Sequence, residues 1–141
     1  MEKRFLGVDL GQKRIGLAVT DPLNITVQRL KTLIFENKKK LIQDIKDVIE
    51  EKNIGTIVFG VPITLSGKES KKTIETRKII DYIKVELPDN IQIELEDEAM
   101  STMDAHEILH NMGKKPSKNR DIVDQIAAQC ILQSYKNRLP N

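Results

Sequence analysis

The stretch FLGVDLGQKRIGLAVTD, residues 5–21, decides how the chain begins to fold. Large apolar residues occupy every second position from 6 to 10 and again from 15 to 19. Alternation with a period of two is typical of β-strands, because successive side chains of a strand point to opposite faces. The intervening segment 11–14 opens with a glycine, so the stretch predicts a β-hairpin.

Asp9 is the unusual residue of this hairpin, because it puts a charge in the middle of the first strand. It lies between Gly7 and Gly11, and glycine in a strand marks a place where something approaches the backbone closely. The expected visitor is a cation, or a phosphate that a cation brings. The alternative is an aspartate of the turn, since Asp and Gly are common turn residues. Asp9 precedes the turn rather than occupying its centre, which favours a site.

The composition indicates one soluble globular domain spanning residues 1–141, with 39% hydrophobic and 31% charged residues. The net charge of +2 permits nucleic-acid binding without requiring it. The single cysteine, Cys130, excludes an internal disulfide, fits a reducing compartment and is expected to be a small core residue. No apolar segment is long enough for a signal peptide or a membrane span. We therefore expect a cytoplasmic protein with no membrane partner.

The rest of the chain alternates between strand and helix patterns. Strands are expected at 25–35, 56–59 and 91–96, and helices at 38–53, 69–87, 101–113 and 121–139. Asn37 is a candidate N-cap, Ser101 with Asp104 resembles a capping box, and residues 60–62 (Gly-Val-Pro) are expected to end their strand. This order predicts an α/β domain with a mixed sheet, in which an antiparallel meander is followed by parallel strands joined by crossovers.

Apolar residues at helical spacing predict the buried face of each helix. In chain order these residues are Leu41, Ile42, Ile45, Val48 and Ile49; Ile74, Ile80, Ile83 and Leu87; Ala105, Ile108, Leu109 and Met112; and Val123, Ile126, Ala127, Cys130 and Ile131. The small side chains of Ala127 and Ala128 are expected to let the last helix lie close to the sheet.

Acidic residues stand at three separate places in this layout. They are Asp9, the cluster 96–98 at the end of the fifth strand, and Asp121 with Asp124 at the start of the last helix. Ligands of open α/β sheets usually bind at the carboxyl edge, where these groups could meet. Oxygen ligands suit Mg²⁺ or Mn²⁺ better than zinc, and such a cluster suggests two-metal phosphodiester hydrolysis. On the residues alone, an acidic strand end that is merely solvated remains an equal alternative.

Several blocks of sequence resemble the YqgF/RuvX family, and they occur in the order of that family over nearly the whole chain. The blocks are residues 7–11 (GVDLG) with 14–18 (RIGLA), 60–62 (GVP), 97–98 with 101–102, and 123–124 with 127–128 and 132–135.

The resemblance implies a ribonuclease H-like fold, related to Holliday-junction resolvases, with a five-stranded mixed sheet flanked by helices. It also implies a cytoplasmic, metal-dependent nuclease that matures the 5′ end of precursor 16S ribosomal RNA and so acts on ribosomal particles. Carried over by position, the catalytic and Mg²⁺- or Mn²⁺-binding acids are Asp9, Glu98 and Asp124. Asp97 is the alternative for the middle position, because strand alternation does not say which of the pair turns inward.

One departure from the family pattern concerns substrate binding. An arginine usually follows the Asp-Glu pair, whereas this chain has Ala99. Basic residues elsewhere could supply the missing phosphate contact, although for any one of them a solvated surface is the alternative. The candidates are Lys13, Arg14, Lys114, Lys115, Lys118 and Arg120. The run from 114 to 120, just before the last helix, is the favoured phosphate clamp.

Three other interpretations are open. His106 and His110 form an H-E-x-x-H pattern on a predicted helix, for which Asp121 could be a third zinc ligand. The hairpin also resembles the phosphate-binding hairpin of sugar kinases and actin-like ATPases, but those proteins close two such domains around ATP and 141 residues hold only one, which disfavours this interpretation. The third interpretation is a ribosomal RNA-binding assembly factor with a weak or inactive centre.

Overall fold

The computed structural model describes residues 2–62, 70–98 and 102–140, and only the backbone of 102–106 and 116. Its strands are β1 (Arg4–Leu10), β2 (Arg14–Thr20), β3 (Val27–Ile34), β4 (Ile54–Val61) and β5 (Gln92–Asp97). Its helices are α1 (Lys38–Lys52), α2 (Lys71–Glu86), α3 (Thr102–Asn111) and α4 (Arg120–Arg138), with a short 3₁₀ turn at Pro116–Lys118.

The strands form a mixed sheet in the order β3-β2-β1-β4-β5. The first three strands are an antiparallel meander, and β4 and β5 add to β1 in parallel. This is the predicted topology, and the predicted hairpin is closed by a hydrogen bond from the Gly11 amide to the Arg14 carbonyl oxygen at 3.0 Å.

Both faces of the sheet are covered, because its strands alternate between two cores. Leu6 and Val8 of β1 belong to the larger core, which includes the apolar faces of α1 and α2. Ala18 of β2 and Val58 of β4 point the other way, toward α4. The result is a three-layer domain with α1 and α2 on one side and α4 on the other.

Local capping fixes the helix ends. The Asn37 side chain accepts a hydrogen bond from the Lys40 amide at 2.8 Å, as predicted for an N-cap. Asn53 ends α1 in the left-handed conformation, with φ 56°. Ser70 caps α2 by accepting from the Thr73 amide. The predicted capping box of Ser101 and Asp104 lies outside the described residues and side chains.

Some expected boundaries and buried faces were wrong. β4 runs from Ile54 to Val61, beyond both ends of the predicted strand 56–59, because it is paired with β1 and β5 on either side, and it ends before Pro62. Ile74 of α2 is 42% exposed, since Thr73 and Thr76 take the buried positions of that turn. Ile108 of α3 and Met112, just after that helix, are also exposed. The side chain of Ala105 lies outside the described part.

The buried stripe of α4 is also displaced from its prediction. Ala128 and Leu132 are fully buried, whereas Val123 and Cys130 are only half-buried. The stripe is set by the strands on which the helix lies rather than by its apolar residues alone. No helix in the described part of the chain has the length and apolar content needed to cross a membrane.

Candidate active site at the carboxyl edge of the sheet

Helix α4 lies directly on the sheet because three strands carry glycine beneath it. A Cβ atom at Gly16 would stand 1.9 Å from the Asp124 carbonyl oxygen, and one at Gly7 would stand 2.8 Å from the Ala128 carbonyl oxygen. At Gly60 of β4 a Cβ atom would stand 2.3 Å from Cδ1 of the Ile131 side chain of α4. The backbone approaches at Gly16 and Gly7 leave no room for a side chain, so the glycines of β2 and β1 fix how deep the helix lies.

The close approach at Gly16 places Asp124 beside Asp9. Asp9 and Gly16 are direct partners in the antiparallel ladder, and such partners point to the same face of the sheet. The Asp9 side chain therefore lies on the α4 face, next to the strand position that the Asp124 backbone covers. The two carboxylates interact electrostatically across this gap.

Glu98 joins Asp9, whereas Asp97 faces the other way. Asp97 pairs with Val61, whose side chain belongs to the core under α1 and α2. The Cβ atom of Glu98 lies 3.6 Å from where a Cβ of Gly60 would stand, on the α4 face. The carboxyl groups of Glu98 and Asp9 share a hydrogen bond. The structure thus brings together Asp9, Glu98 and Asp124.

Glu96 has a structural role, because it links β5 to α4. Its carboxylate is buried and accepts hydrogen bonds from Ser134 Oγ at 2.6 Å and Arg138 Nε at 2.9 Å. It ties the end of β5 to the last turns of α4, on the same face as Glu98. Sequence patterns gave no sign of this role, because its partners lie about forty residues further along the chain.

The Asp9 carboxyl is strongly perturbed. Burial raises the pKa of Asp9 from 3.8 to about 8, helped by the negative charge and hydrogen bond of Glu98 and by the charge of Asp124. The Lys72 ammonium opposes this increase in pKa. Convergence of like charges on a buried carboxyl is typical of sites that hold a cation or move a proton.

Arg14 holds the third acid. Its Nε donates to Asp124 Oδ2 at 2.7 Å, and both side chains are partly buried. Arg14 was expected to contact nucleic acid, and in this structure its guanidinium is paired with a site carboxylate.

Two open clefts collect the basic residues beside the acids. One has a volume of about 410 Å³ and is lined by Gly11, Gln12, Lys13, Arg14, Lys72, Arg120 and Asp124. The other, of about 460 Å³, shares Arg14 and Arg120 and adds Ser117, Lys118, Asn119, Asp121 and Ile122. We call the two together the basic groove.

The basic groove takes in only part of the predicted phosphate clamp. Lys118 and Arg120 line it, whereas Lys114 and Lys115 are exposed and are not among its described lining residues. Lys72 lines it although no sequence argument selected that residue. The signal that could have found Lys72 is the pair of lysines opening a helix, where acidic residues are usual.

The described residues give no support to the alternative zinc site of the H-E-x-x-H pattern. His110 is exposed, the side chain of His106 lies outside the described part, and so does Ala99. Within the described residues, no three or more His, Cys, Asp or Glu side chains are arranged as metal ligands.

That statement also applies to Asp9, Glu98 and Asp124. Their carboxylate oxygens have the donor chemistry that Mg²⁺ and Mn²⁺ prefer. In this structure, however, Asp124 is ion-paired with Arg14, and the Asp9 carboxyl is hydrogen-bonded to Glu98. Binding an ion therefore requires these side chains to exchange partners.

Comparison with known proteins gives a family for this arrangement. A family model described as RuvX, Holliday junction resolvase, matches residues 3–138. A Koribacter versatilis protein named "Putative pre-16S rRNA nuclease" is 36% identical over 135 residues, covering 96% of this chain and 87% of its own. A protein of the same name from Clostridium botulinum is 36% identical over 139 residues, covering 96% and 98%.

Solved structures confirm the fold. The RuvC of T. thermophilus, in complex with a Holliday junction substrate, superposes with a TM-score of 0.60 at 12% identity and covers 96% of each chain. Fowlpox virus resolvase, in complex with Holliday junction DNA, gives a TM-score of 0.55 at 16% identity and covers 97% of this chain and 99% of its own. At these identities the likeness concerns the ribonuclease H-like fold alone.

Proposed function

The chain belongs to the RuvX family of Holliday junction resolvases, and from that premise we propose that it is a metal-dependent nuclease that cuts structured nucleic acid. The observation that supports this most is the meeting of Asp9, Glu98 and Asp124 beside the basic groove. A patch of carboxylates next to a positively charged cleft suits phosphodiester hydrolysis, because the acids hold cations and the groove holds the backbone.

In this mechanism Asp9, Glu98 and Asp124 hold one or two Mg²⁺ or Mn²⁺ ions, with Asp97 assigned to the opposite face. Ions held by these three carboxylates would supply an activated water and charge stabilisation for the leaving oxygen. Glu96 keeps the end of β5 fixed against α4, so Glu98 is presented from a rigid position. Lys13, Arg14, Lys118 and Arg120 orient the phosphate backbone along the basic groove.

The substrate we propose is precursor 16S ribosomal RNA, cut for maturation of its 5′ end in ribosome biogenesis. The names of the curated relatives support this choice. Branched DNA is the second candidate, because the family model and the solved relatives concern Holliday junctions. In this proposal the protein acts in the cytoplasm, and its partners are ribosomal particles.

The test incubates the wild type with precursor ribosomal RNA and with a four-way DNA junction, each in Mn²⁺ and in EDTA. We expect the wild type to cut in Mn²⁺ and not in EDTA. The Asp124→Asn variant should cut at least about 100-fold more slowly in Mn²⁺, because the substitution removes an interaction that acts directly at the reacting phosphate. Asp47→Asn, on an exposed position of α1, is the matched control and should cut like the wild type.

Equal cutting by Asp124→Asn, or cutting in EDTA, would contradict the mechanism. Binding of RNA without any cutting, unaffected by Asp9→Asn, would instead support an RNA-binding assembly factor.

A further inference from the structure

We propose that Lys72 binds the phosphate backbone of the substrate beside the bond that is cut, as a further catalytic residue of this site. The assignment rests on the proposed nuclease function and extends it to a residue of α2, an element that supplies none of the acids.

The sequence puts Lys72 where helix stability does not favour it. The first turn of α2 has two lysines, Lys71 and Lys72, and no acidic residue. The exposed amide groups of a helix N-terminus carry partial positive charge, so cations there weaken the helix. A residue that breaks a local rule without a stabilising gain points to a function elsewhere in the molecule.

The structure shows where Lys72 is used. α2 follows β4, so its first turn lies at the carboxyl edge of the sheet, next to the acids. Lys72 lines the same cleft as Arg14, Arg120 and Asp124. It is also close enough to Asp9 for its charge to favour the ionised carboxylate.

The clefts receive cations from three different elements. Arg14 comes from β2, Arg120 from α4 and Lys72 from α2. Arg14 is held by Asp124, whereas Lys72 is exposed on the cleft wall. A phosphate that approaches three carboxylates is repelled by them, and a long, mobile ammonium group at their side offsets that repulsion where the reacting phosphate must sit.

Lys71 provides a matched control. It stands in the same turn, carries the same charge and is exposed, but it is not among the described residues that line the clefts. Lys71→Gln and Lys72→Gln therefore change the net charge and the helix N-terminus equally. Only the second removes a cation from the site.

The experiment measures the affinity of each variant for a labelled four-way DNA junction and for a precursor ribosomal RNA fragment, in EDTA, as a function of salt. The logarithm of the association constant falls as the logarithm of the salt concentration rises, and loss of one phosphate contact makes this slope shallower by about 0.7 to 0.9. We expect that decrease for Lys72→Gln, an unchanged slope for Lys71→Gln, and recovery with Lys72→Arg. In Mn²⁺, Lys72→Gln should also lower kcat about 10-fold, whereas Lys71→Gln should leave it at the wild-type value.

The two failures can be told apart. If the wild type binds or cuts and the two glutamine variants behave alike, the assignment of Lys72 is wrong while the nuclease proposal stands. If the wild type neither binds nor cuts either substrate, the proposed function is wrong and the role of Lys72 is lost with it.

Discussion

At the scale of single residues, the site is held by unusual pairings of charge. Asp9 is surrounded by two acids and little solvent, and it remains protonated near neutral pH because its pKa is about 8. Arg14 compensates Asp124 but not Asp9. The metal-free protein therefore balances three carboxyls with one proton, the Arg14 guanidinium and the nearby Lys72 ammonium, and an incoming cation can displace the first two.

The raised pKa of Asp9 predicts how stability depends on pH. Between about pH 4 and pH 8 the native state keeps a proton that the unfolded chain has lost, so the free energy of unfolding falls as pH rises through this range. In Asp9→Asn the free energy of unfolding no longer falls with pH for this reason, because asparagine does not ionise, and its side-chain amide can still donate to Glu98. We expect the variant to gain about 2 kcal/mol over the wild type between pH 5 and pH 8, measured by urea unfolding in EDTA. Parallel pH profiles of the two proteins would contradict the raised pKa of Asp9, and with it the burial and the neighbouring acids that cause it.

The ion pair of Arg14 with Asp124 predicts competition with metal. Removing the guanidinium in Arg14→Gln frees the carboxylate, so the Kd for Mn²⁺ should fall about 5-fold in a titration without nucleic acid. Lys13→Gln, which changes the net charge equally and lines the same cleft, should have a smaller effect. Weaker Mn²⁺ binding by Arg14→Gln would mean that the arginine supports the metal site instead.

At the scale of elements, the site depends on how closely α4 lies on β1 and β2. Sequence reasoning found β1, the hairpin and α4, because their patterns are local. It could not choose between Asp97 and Glu98, since that choice depends on which face of β5 meets Asp9. It also misplaced Ile108 and Met112, because an apolar stripe shows which residues could be buried but not how much of the helix is covered.

Gly16→Ala tests the close contact between β2 and the Asp124 backbone of α4. The added methyl group would meet the Asp124 backbone at 1.9 Å, so the first turns of α4 must rise from β2. We expect a loss of about 3 kcal/mol in the free energy of unfolding, together with weaker Mn²⁺ binding, because Asp124 moves with the helix. Gly55→Ala is the control, since its methyl group would meet the Cβ atom of Lys3 at 2.4 Å near the start of β4, at the end of the sheet away from the acids. It should destabilise the fold without weakening Mn²⁺ binding. A stable Gly16→Ala with normal Mn²⁺ binding would show that α4 need not lie at this depth.

At the scale of the whole molecule, the acids come from the beginning, the middle and the end of the chain. Asp9 lies on β1, Glu98 follows β5 and Asp124 lies on α4, so only the complete three-layer domain brings them together. The order of the elements allowed this meeting at the carboxyl edge of the sheet, with a solvated strand end as an equal alternative, and it was the family resemblance that favoured the site. A ligand held by all three must bind the native state and not the unfolded chain.

This dependence predicts that Mn²⁺ stabilises the protein as a whole. With Mn²⁺ at about 100 times its Kd, the wild type should gain about 2.7 kcal/mol, or roughly 8 °C in Tm, relative to the same protein in EDTA. Asp9→Asn and Asp124→Asn should each lose most of this gain, although Asp9→Asn is the more stable protein without metal at pH 8. Asp47→Asn, far from the acids on the opposite layer, should keep it. Comparing each variant with itself in EDTA separates metal binding from the effect of the substitution on folding, and an equal gain in all four proteins would place the Mn²⁺ site away from the three acids.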